Sequence, residues 1–318
     1  MSRLISIGEL LIDFSSVGTG PLKDISQFVK NAGGAPANVC VQAAKLGQRA
    51  IYLTQVGADG FGEFLRDALH KEGVDTSYIK MNRKYDTSLA FVSFQENGER
   101  EFSFYRKNAA DLYFTPKDFA AVEFFAGDIF EFGSVALKTK EAKETHLVLL
   151  HRAMQKNVIV CFDPNVRLNL WEDANELKQV IWEYLQYTDI VKVSEDELKF
   201  LTDCEHIEQA VTKLWNAHLK LVIVTKGEQG ATLYLKNQKC FSHLGFPVQA
   251  VDTTGAGDSF FGGFISELLR NNFKKDELLN LNYEDILSFA CKCGAFTTTG
   301  YGAIPAMGNK KQVESVGK

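Results

Sequence analysis

Residues 252–265 have the sequence Asp-Thr-Thr-Gly-Ala-Gly-Asp-Ser-Phe-Phe-Gly-Gly-Phe-Ile. The small residues Gly255, Ala256 and Gly257 let the backbone turn tightly, and a segment of helical period follows. Because the first N–H groups of a helix lack partners and its dipole is positive there, this turn is predicted to hold an anion. Asp258 would then be an ionised carboxylate beside a phosphate, placed to accept a proton from an attacking hydroxyl. A plain helix cap is the alternative for Asp258.

Around this segment, short apolar runs alternate with longer segments of helical period. The apolar runs predict buried strands at 4–12, 50–56, 128–132, 158–162, 190–193 and 221–224. The periodic segments predict helices at 37–46, 62–72, 140–155, 175–187, 195–201, 207–216, 259–271 and 283–296. Repetition of strand, helix and strand predicts an α/β fold whose mainly parallel sheet is covered by helices on both faces.

Residues 13–30 and 87–106 interrupt this alternation. They have the pattern of half-exposed antiparallel strands, and Asn97-Gly98 between two alternating runs predicts a hairpin. We expect them to form a small second sheet that lies over the site as a lid. The predicted division is therefore a core of residues 1–12, 31–86 and 107–318, with a lid of residues 13–30 and 87–106.

Composition excludes several classes of protein. The 318 residues are 45% hydrophobic and 24% charged, which is typical of a globular protein and not of a disordered or collagen-like chain. The net charge of −5 argues against nucleic acid as a partner. No apolar run is long enough to predict a membrane span, and the N-terminus does not resemble a signal peptide. The six scattered cysteines predict reduced thiols and a cytoplasmic location.

A second motif lies far from residues 252–263 in the sequence. It is Gly-Gly-Ala-Pro-Ala-Asn-Val at 33–39, and Val-Gly-Ala-Asp-Gly-Phe-Gly follows at 56–62. Together they resemble the signatures of the ribokinase-like (PfkB) carbohydrate kinases, and the likeness runs from Gly8 to about Pro305. The resemblance implies a ribokinase-like three-layer α/β/α sandwich that transfers the γ-phosphoryl group of ATP to a sugar.

The resemblance also implies roles for single residues on the sugar side. Asp258 matches the catalytic base of the family, and the backbone of Gly255, Ala256 and Gly257 matches its anion hole. The residues that match the sugar site are Asp13, Gly33, Gly34 and Asn38. Arg106 and Arg167 lie where relatives carry substrate-side arginines, although either could be a surface or ion-pairing residue.

The resemblance also implies which residues bind the nucleotide: Asn165, Ser194, Glu197, Thr225, Gly227 and Gly257. Ser194 stands where the family has asparagine, which weakens the prediction for Ser194, whereas Glu197 is predicted to organise Mg²⁺ through water. A monovalent cation, K⁺, is implied beside the anion hole, with a plain turn as the alternative. Its predicted ligands are Asp252, Thr254, Thr297, Gly300 and Gly302.

The motifs are together most similar to those of fructokinases, so D-fructose is the predicted substrate and fructose 6-phosphate the product. Two alternatives stay open at this point: 2-keto-3-deoxygluconate, whose carboxylate paired arginines could hold, and a regulator that binds sugar or nucleotide without catalysis. Exposed apolar lid residues also predict a homodimer formed through the lid; these are Phe91, Phe94, Phe102 and Phe104.

Overall fold

The computed structural model describes residues 2–94 and 100–317, so the predicted Asn97-Gly98 turn lies outside the described residues. The strands are β1 (Leu4–Ile7), β2 (Leu11–Thr19), β3 (Phe28–Gly33), β4 (Ala50–Gly57), β5 (Ile79–Asn82), β6 (Ser88–Phe94), β7 (Arg100–Tyr105), β8 (Ile129–Gly133), β9 (Ile159–Asp163), β10 (Ile190–Ser194), β11 (Leu221–Thr225), β12 (Ala231–Leu235) and β13 (Cys240–His243). The helices are α1 (Ala35–Lys45), α2 (Gly60–Lys71), α3 (Lys140–Gln155), α4 (Ala174–Leu185), α5 (Glu195–Thr202), α6 (Ile207–Leu214), α7 (Ala256–Arg270), α8 (Glu284–Thr297) and α9 (Lys310–Val313).

A nine-stranded sheet in the order β13-β12-β11-β10-β9-β8-β1-β4-β5 forms the middle layer. All pairs from β11 to β5 are parallel, and β12 and β13 add an antiparallel edge. Alternate strand residues point into two hydrophobic cores, one shared with α1, α2, α7 and α8, the other with α3, α4, α5 and α6. The predicted three-layer arrangement is therefore confirmed, as are the predicted helices.

The predicted strand 4–12 is wrong in one respect, because it is two strands in different sheets. β1 ends at Ile7 and β2 begins at Leu11. Between them, the carbonyl of residue 8 accepts a hydrogen bond from Thr54 Oγ1 at 2.7 Å, and that of residue 9 accepts one from the Tyr52 hydroxyl at 2.6 Å. Buried side chains of β4 thus replace the strand ladder at this point, which an apolar pattern alone does not reveal.

The small sheet consists of β2, β3, β6 and β7, in the order β3-β2-β6-β7. β2 pairs antiparallel with β3 and β6 with β7, as expected, but β2 and β6 run parallel. The reason is that β2 follows β1 and β6 follows β5, and these two preceding strands point in the same direction in the large sheet. Phe14 of β2 stacks on Phe91 of β6 with ring centroids 4.8 Å apart and meets Phe61 of α2 edge-on at 5.7 Å, which fixes the small sheet to the core.

Within the described residues, the helices are each too short or too polar to cross a lipid bilayer.

Candidate active site

The site is built around the first turn of α7. Gly255 has φ of 75°, a left-handed conformation that favours glycine, and it leads directly into the helix. Among the described residues, no side chain caps this helix, although the Ala256 N–H donates to the carbonyl of Thr253 at 3.3 Å. Side chains therefore leave the first turn open to a ligand. The helix starts at Ala256, three residues earlier than the periodicity predicted, which places Gly257 and Asp258 inside the first turn.

Asp258 is held by a residue distant in the sequence. Its Oδ2 accepts a hydrogen bond of 2.8 Å from Nδ2 of the buried Asn38, which lies on α1. Burial raises the pKa of Asp258 above its ordinary value, while Lys192, the hydrogen bond from Asn38 and the charge of Arg167 act to lower it. An aspartate with a raised pKa, seated at a helix N-terminus, has the properties required of a general base.

Asp13 faces the same space from the small sheet. Burial raises the pKa of Asp13 to about 7, the charge of Arg167 lowers it and the charge of Asp258 raises it further. Its carboxylate lies against Gly33, where a Cβ would overlap it. Gly34 follows with φ of 121°, so the two glycines turn β3 into α1, from which Asn38 reaches Asp258. Predicted sugar-site residues from three segments thus meet in one place.

The two arginines have different surroundings. Arg167 is exposed, and its charge acts on both Asp13 and Asp258. Arg106 is buried and pairs with Asp111, whose Oδ2 is 2.5 Å from its Nη2, while its Nε donates to Ser88 Oγ at 3.1 Å. Ser88 in turn donates to Asp111 Oδ1 at 2.6 Å. Arg106 therefore lies in an ion pair, which was the alternative to a substrate-side role for this residue.

The residues predicted for the nucleotide side lie at the ends of β9, β10 and β11. Ser194 caps α5, and Glu197 accepts hydrogen bonds from the Ser194 N–H at 2.8 Å and the Val166 N–H at 2.7 Å. Asn165 is buried beside Val166 with φ of 46°. A shallow cleft of about 480 Å³ opens here, lined by residues that include Arg167, Ser194 and Glu197. Ligands of open α/β sheets bind at such carboxyl ends of strands.

Thr225 and Gly227 complete this edge at the end of β11. The Thr225 hydroxyl donates to the carbonyl of Val193 at 3.4 Å, and Gly227 starts a short turn with φ of 57°.

Residues 1–310 match the model of the pfkB family of carbohydrate kinases. The chain belongs to this family. It is 37% identical over 317 residues to a probable fructokinase-4 of Arabidopsis thaliana, covering 99% of this chain and 96% of that one.

Two solved structures of fructokinases have the same fold. A fructokinase from Xylella fastidiosa with bound ATP superposes with a TM-score of 0.88 at 31% identity, covering 98% of this chain and 97% of that one. A fructokinase from Vibrio cholerae O395 with fructose, ADP and calcium ion has a TM-score of 0.87 at 31% identity, covering 100% of this chain and 99% of that one. The predicted ribokinase-like family and fold are confirmed, and the chain is a carbohydrate kinase.

The residues predicted to hold a monovalent cation are only partly brought together. Asp252 Oδ1 accepts hydrogen bonds from the N–H and hydroxyl of Thr254, and its Oδ2 accepts one from the Gly302 N–H at 2.9 Å. The hydroxyl of Thr297 is instead buried between α7 and α8, where it donates to Ser259 Oγ at 2.8 Å. Gly300 lies against Ala306. Among the described residues there is no cluster of three or more His, Cys, Asp or Glu side chains suited to a metal ion.

Sequence reasoning missed Lys192, which lies against Gly257 in the first turn of α7. Its Nζ is 2.7 Å from Asp163 Oδ2, and the two side chains are 8% and 2% exposed. A signal was present, since lysine interrupts the apolar strand Ile-Val-Lys-Val at 190–193 and a lysine in a buried strand needs a partner. Glu131 was also missed, although it interrupts the apolar strand Ile-Phe-Glu-Phe at 129–132 in the same way. It is buried and accepts a hydrogen bond from Ser6 Oγ, and burial raises its pKa.

Proposed function

We propose that this protein transfers the γ-phosphoryl group of ATP to the primary hydroxyl of D-fructose and releases fructose 6-phosphate. The observation that carries the proposal is the meeting of Asp258 and Asp13 beside the first turn of α7. The Asp258 carboxylate is suited to removing a proton, and it interacts electrostatically with the Asp13 carboxylate, which is suited to binding hydroxyls. The relatives named fructokinases, one of them with fructose and ADP bound, support the choice of sugar.

In this mechanism Asp258 accepts the proton of the attacking hydroxyl, because its pKa is raised and Asn38 holds it in place. The N–H groups of Gly255, Ala256 and Gly257 bind the oxygens of the transferring phosphoryl group and stabilise the charge that develops on them. Asp13 accepts hydrogen bonds from sugar hydroxyls, and the turn at Gly33 and Gly34 brings bare backbone close to the sugar.

The adenine nucleotide is proposed to lie along the carboxyl ends of β9, β10 and β11. Asn165, Ser194, Thr225 and Gly227 would line its phosphates. Glu197 uses one lone pair of each carboxylate oxygen for a backbone N–H, so the others can hold water of a Mg²⁺ shell. Mg²⁺ would neutralise charge on the β- and γ-phosphates.

The small sheet is proposed to act as a lid. In this proposal residues 13–30 and 87–106 cover the sugar and exclude water, which would otherwise be phosphorylated. Asp13 on β2 supports the idea, since a sugar held by it would contact both sheets. Slower hydrogen exchange in β2 and β6 on addition of fructose is the expected result, and exchange unaffected by saturating fructose would contradict a lid.

A monovalent cation is proposed to bind where Asp252 joins the loop at Gly302. Oxygen ligands suit K⁺, and the Asp252 carboxylate with nearby backbone carbonyls fits this chemistry, whereas the buried hydroxyl of Thr297 does not contribute. Replacing K⁺ with tetramethylammonium, which is too large for such a site, is expected to lower kcat severalfold. Equal rates in the two salts at one ionic strength would contradict the proposal.

The alternative substrate 2-keto-3-deoxygluconate is less well supported. A carboxylate clamp would need both arginines, and Arg106 already makes a buried ion pair with Asp111. The non-catalytic alternative is opposed by Asp258 and by the open first turn of α7, which a binding module would not need.

The deciding experiment measures ADP release by the purified protein with Mg²⁺, ATP and K⁺, using fructose, 2-keto-3-deoxygluconate, ribose, glucose or adenosine as acceptor. We expect turnover that depends on fructose. Turnover only with the keto acid would change the substrate and keep the mechanism. Binding of sugar without ADP release would favour the non-catalytic alternative.

Replacing Asp13 with asparagine tests the sugar site. Asparagine keeps the size of the side chain, but one of the two acceptor oxygens becomes an NH₂ donor and the charge is lost. The KM for fructose is therefore expected to rise by about tenfold or more, the usual effect of losing a hydrogen bond to a charged group. The KM for ATP is expected to change little. Asp67→Asn, at an exposed position of α2, is the control and is expected to leave the KM for fructose unchanged. An unchanged KM for fructose in the Asp13 variant would remove this residue from the sugar site.

The proposed assembly is a homodimer formed through the small sheet. Of the four phenylalanines expected to be exposed, Phe102 is 42% exposed, whereas Phe91, Phe94 and Phe104 are half-buried. Val17, Val29 and Tyr105 add exposed apolar surface on this sheet. Light scattering at micromolar concentration tests the proposal, and a monomer would contradict it.

The proposed location is the cytoplasm, which agrees with six free cysteines.

A further inference from the structure

A row of buried polar side chains crosses the large sheet at its carboxyl end, beneath α1 and α7. Ser6 of β1 lies opposite Glu131 of β8, and Asp163 of β9 pairs with Lys192 of β10. Neighbouring residues on this face, such as Cys161 and Ile190, belong to the core shared with α1 and α7. The row therefore points toward the helix that carries Asp258, and Lys192 is its only cation.

Lys192 lies directly beneath the anion hole. Its Nζ is 3.1 Å from the position that a Cβ on Gly257 would occupy, so the ammonium group touches the backbone one residue before Asp258. The lysine side chain is 8% exposed, and its only hydrogen bond among the described residues goes to Asp163 Oδ2 at 2.7 Å. The other oxygen of Asp163 is buried without a partner among the described residues.

This placement is unfavourable for the folded protein alone. A helix N-terminus carries partial positive charge, so the first turn of α7 repels an ammonium group placed against it, and the ion pair with Asp163 is needed to hold the group there. A buried ion pair also repays its desolvation poorly, and apolar residues of similar size often stabilise a protein as well. The position of the charge is better accounted for by the carboxylate and the phosphoryl group that meet at this turn.

We infer that Lys192 is a positioning residue for phosphoryl transfer, whose buried ammonium keeps Asp258 ionised and reinforces the anion hole at Gly255–Gly257. The inference rests on the proposed kinase function. Lys192 on β10, Asn38 on α1 and Arg167 in the loop after β9 act to lower the pKa of Asp258, whereas the negative charge of Glu197 on α5 raises it. Asp258 also repels three further carboxylates, Asp13 on β2, Glu131 on β8 and Asp163 on β9. Burial raises the pKa of Asp258, and of these groups Lys192 opposes that increase most strongly.

The test is the pH dependence of kcat/KM for Lys192→Met. Removing the positive charge raises the pKa of the base, so the acid limb is expected to move to higher pH by about one pH unit or more. Below that limb, kcat/KM is then expected to be lower than in wild type by about tenfold or more. Lys192→Arg keeps the charge and is expected to keep the position of the acid limb.

A second variant separates this role from a purely structural one. Lys192→Met alone leaves Asp163 unpaired and is expected to lower the melting temperature, whereas Asp163→Asn with Lys192→Met leaves no unpaired charge and is expected to recover it. The double variant should nevertheless have its acid limb at higher pH than Asp163→Asn alone, because both lack the Asp163 charge that raises the pKa of Asp258 and they differ only in the Lys192 ammonium. If the single variant does not fold, the double variant provides the measurement.

A folded double variant with the same acid limb as Asp163→Asn would overturn the role of Lys192 while leaving the kinase proposal intact. Loss of rate in Lys192→Arg equal to that in Lys192→Met would also overturn it, because charge would then not be the relevant property. A wild-type protein that releases no ADP with any acceptor would overturn the proposed function itself, and the inference with it.

Discussion

Asp258→Asn is expected to lower kcat with fructose by about 10²–10⁴-fold, the usual contribution of a general base. Asparagine has the size of aspartate but cannot accept the hydroxyl proton. Because burial raises the pKa of Asp258, a neutral amide is tolerated at this position, and the melting temperature is expected to stay the same or to rise. ADP release at saturating fructose and ATP measures the effect.

The matched control for this variant is Asp67→Asn on α2, whose side chain is 71% exposed. It makes the same chemical change away from the site and is expected to leave kcat unchanged. Retention of more than about a tenth of the wild-type kcat in Asp258→Asn, at normal stability, would exclude Asp258 as the base.

Arg106→Met is expected to lower the free energy of unfolding by about 3–5 kcal/mol, because it leaves Asp111 buried and without its charged partner. Methionine keeps much of the apolar stem, so the missing charge and its hydrogen bonds cause most of the loss. Adding Asp111→Asn removes the unpaired charge and is expected to recover part of the stability. Urea unfolding of the three variants measures these differences.

Arg66→Met is the control for the ion pair, since Arg66 and Asp67 form an exposed pair and such pairs contribute little. We expect its unfolding midpoint to match that of the wild type. If Arg106→Met instead kept its stability while the KM for sugar rose, Arg106 would be a sugar-binding residue and not a structural one.

Much of the fold follows from local sequence patterns. The six core strands and eight helices were predictable because apolar period and strand length are properties of neighbouring residues. The short strand Ile79–Asn82 and the antiparallel edge Ala231–Leu235 and Cys240–His243 were not predicted. These three strands lie at the two ends of the large sheet, and a strand at an edge is specified largely by the partner it meets.

For the site, the motifs predicted the segments, but the contacts between side chains needed the fold. The turn at 255–257 and the position of Asp258 at a helix start are local properties. In contrast, the hydrogen bond from Asn38 to Asp258 joins residues 220 positions apart, and it exists because α1 packs against α7. No spacing in the sequence encodes that distance.

The sequence by itself determined the α/β class, the family and the anion-binding turn, because each depends on residue types at short, ordered spacings. Only the tertiary structure decided which charges meet. It paired Arg106 with Asp111, directed the hydroxyl of Thr297 into the packing of α7 and α8, and placed Lys192 under Gly257. Interactions between charges depend on distance and on exclusion of water, and both arise only when distant segments pack together.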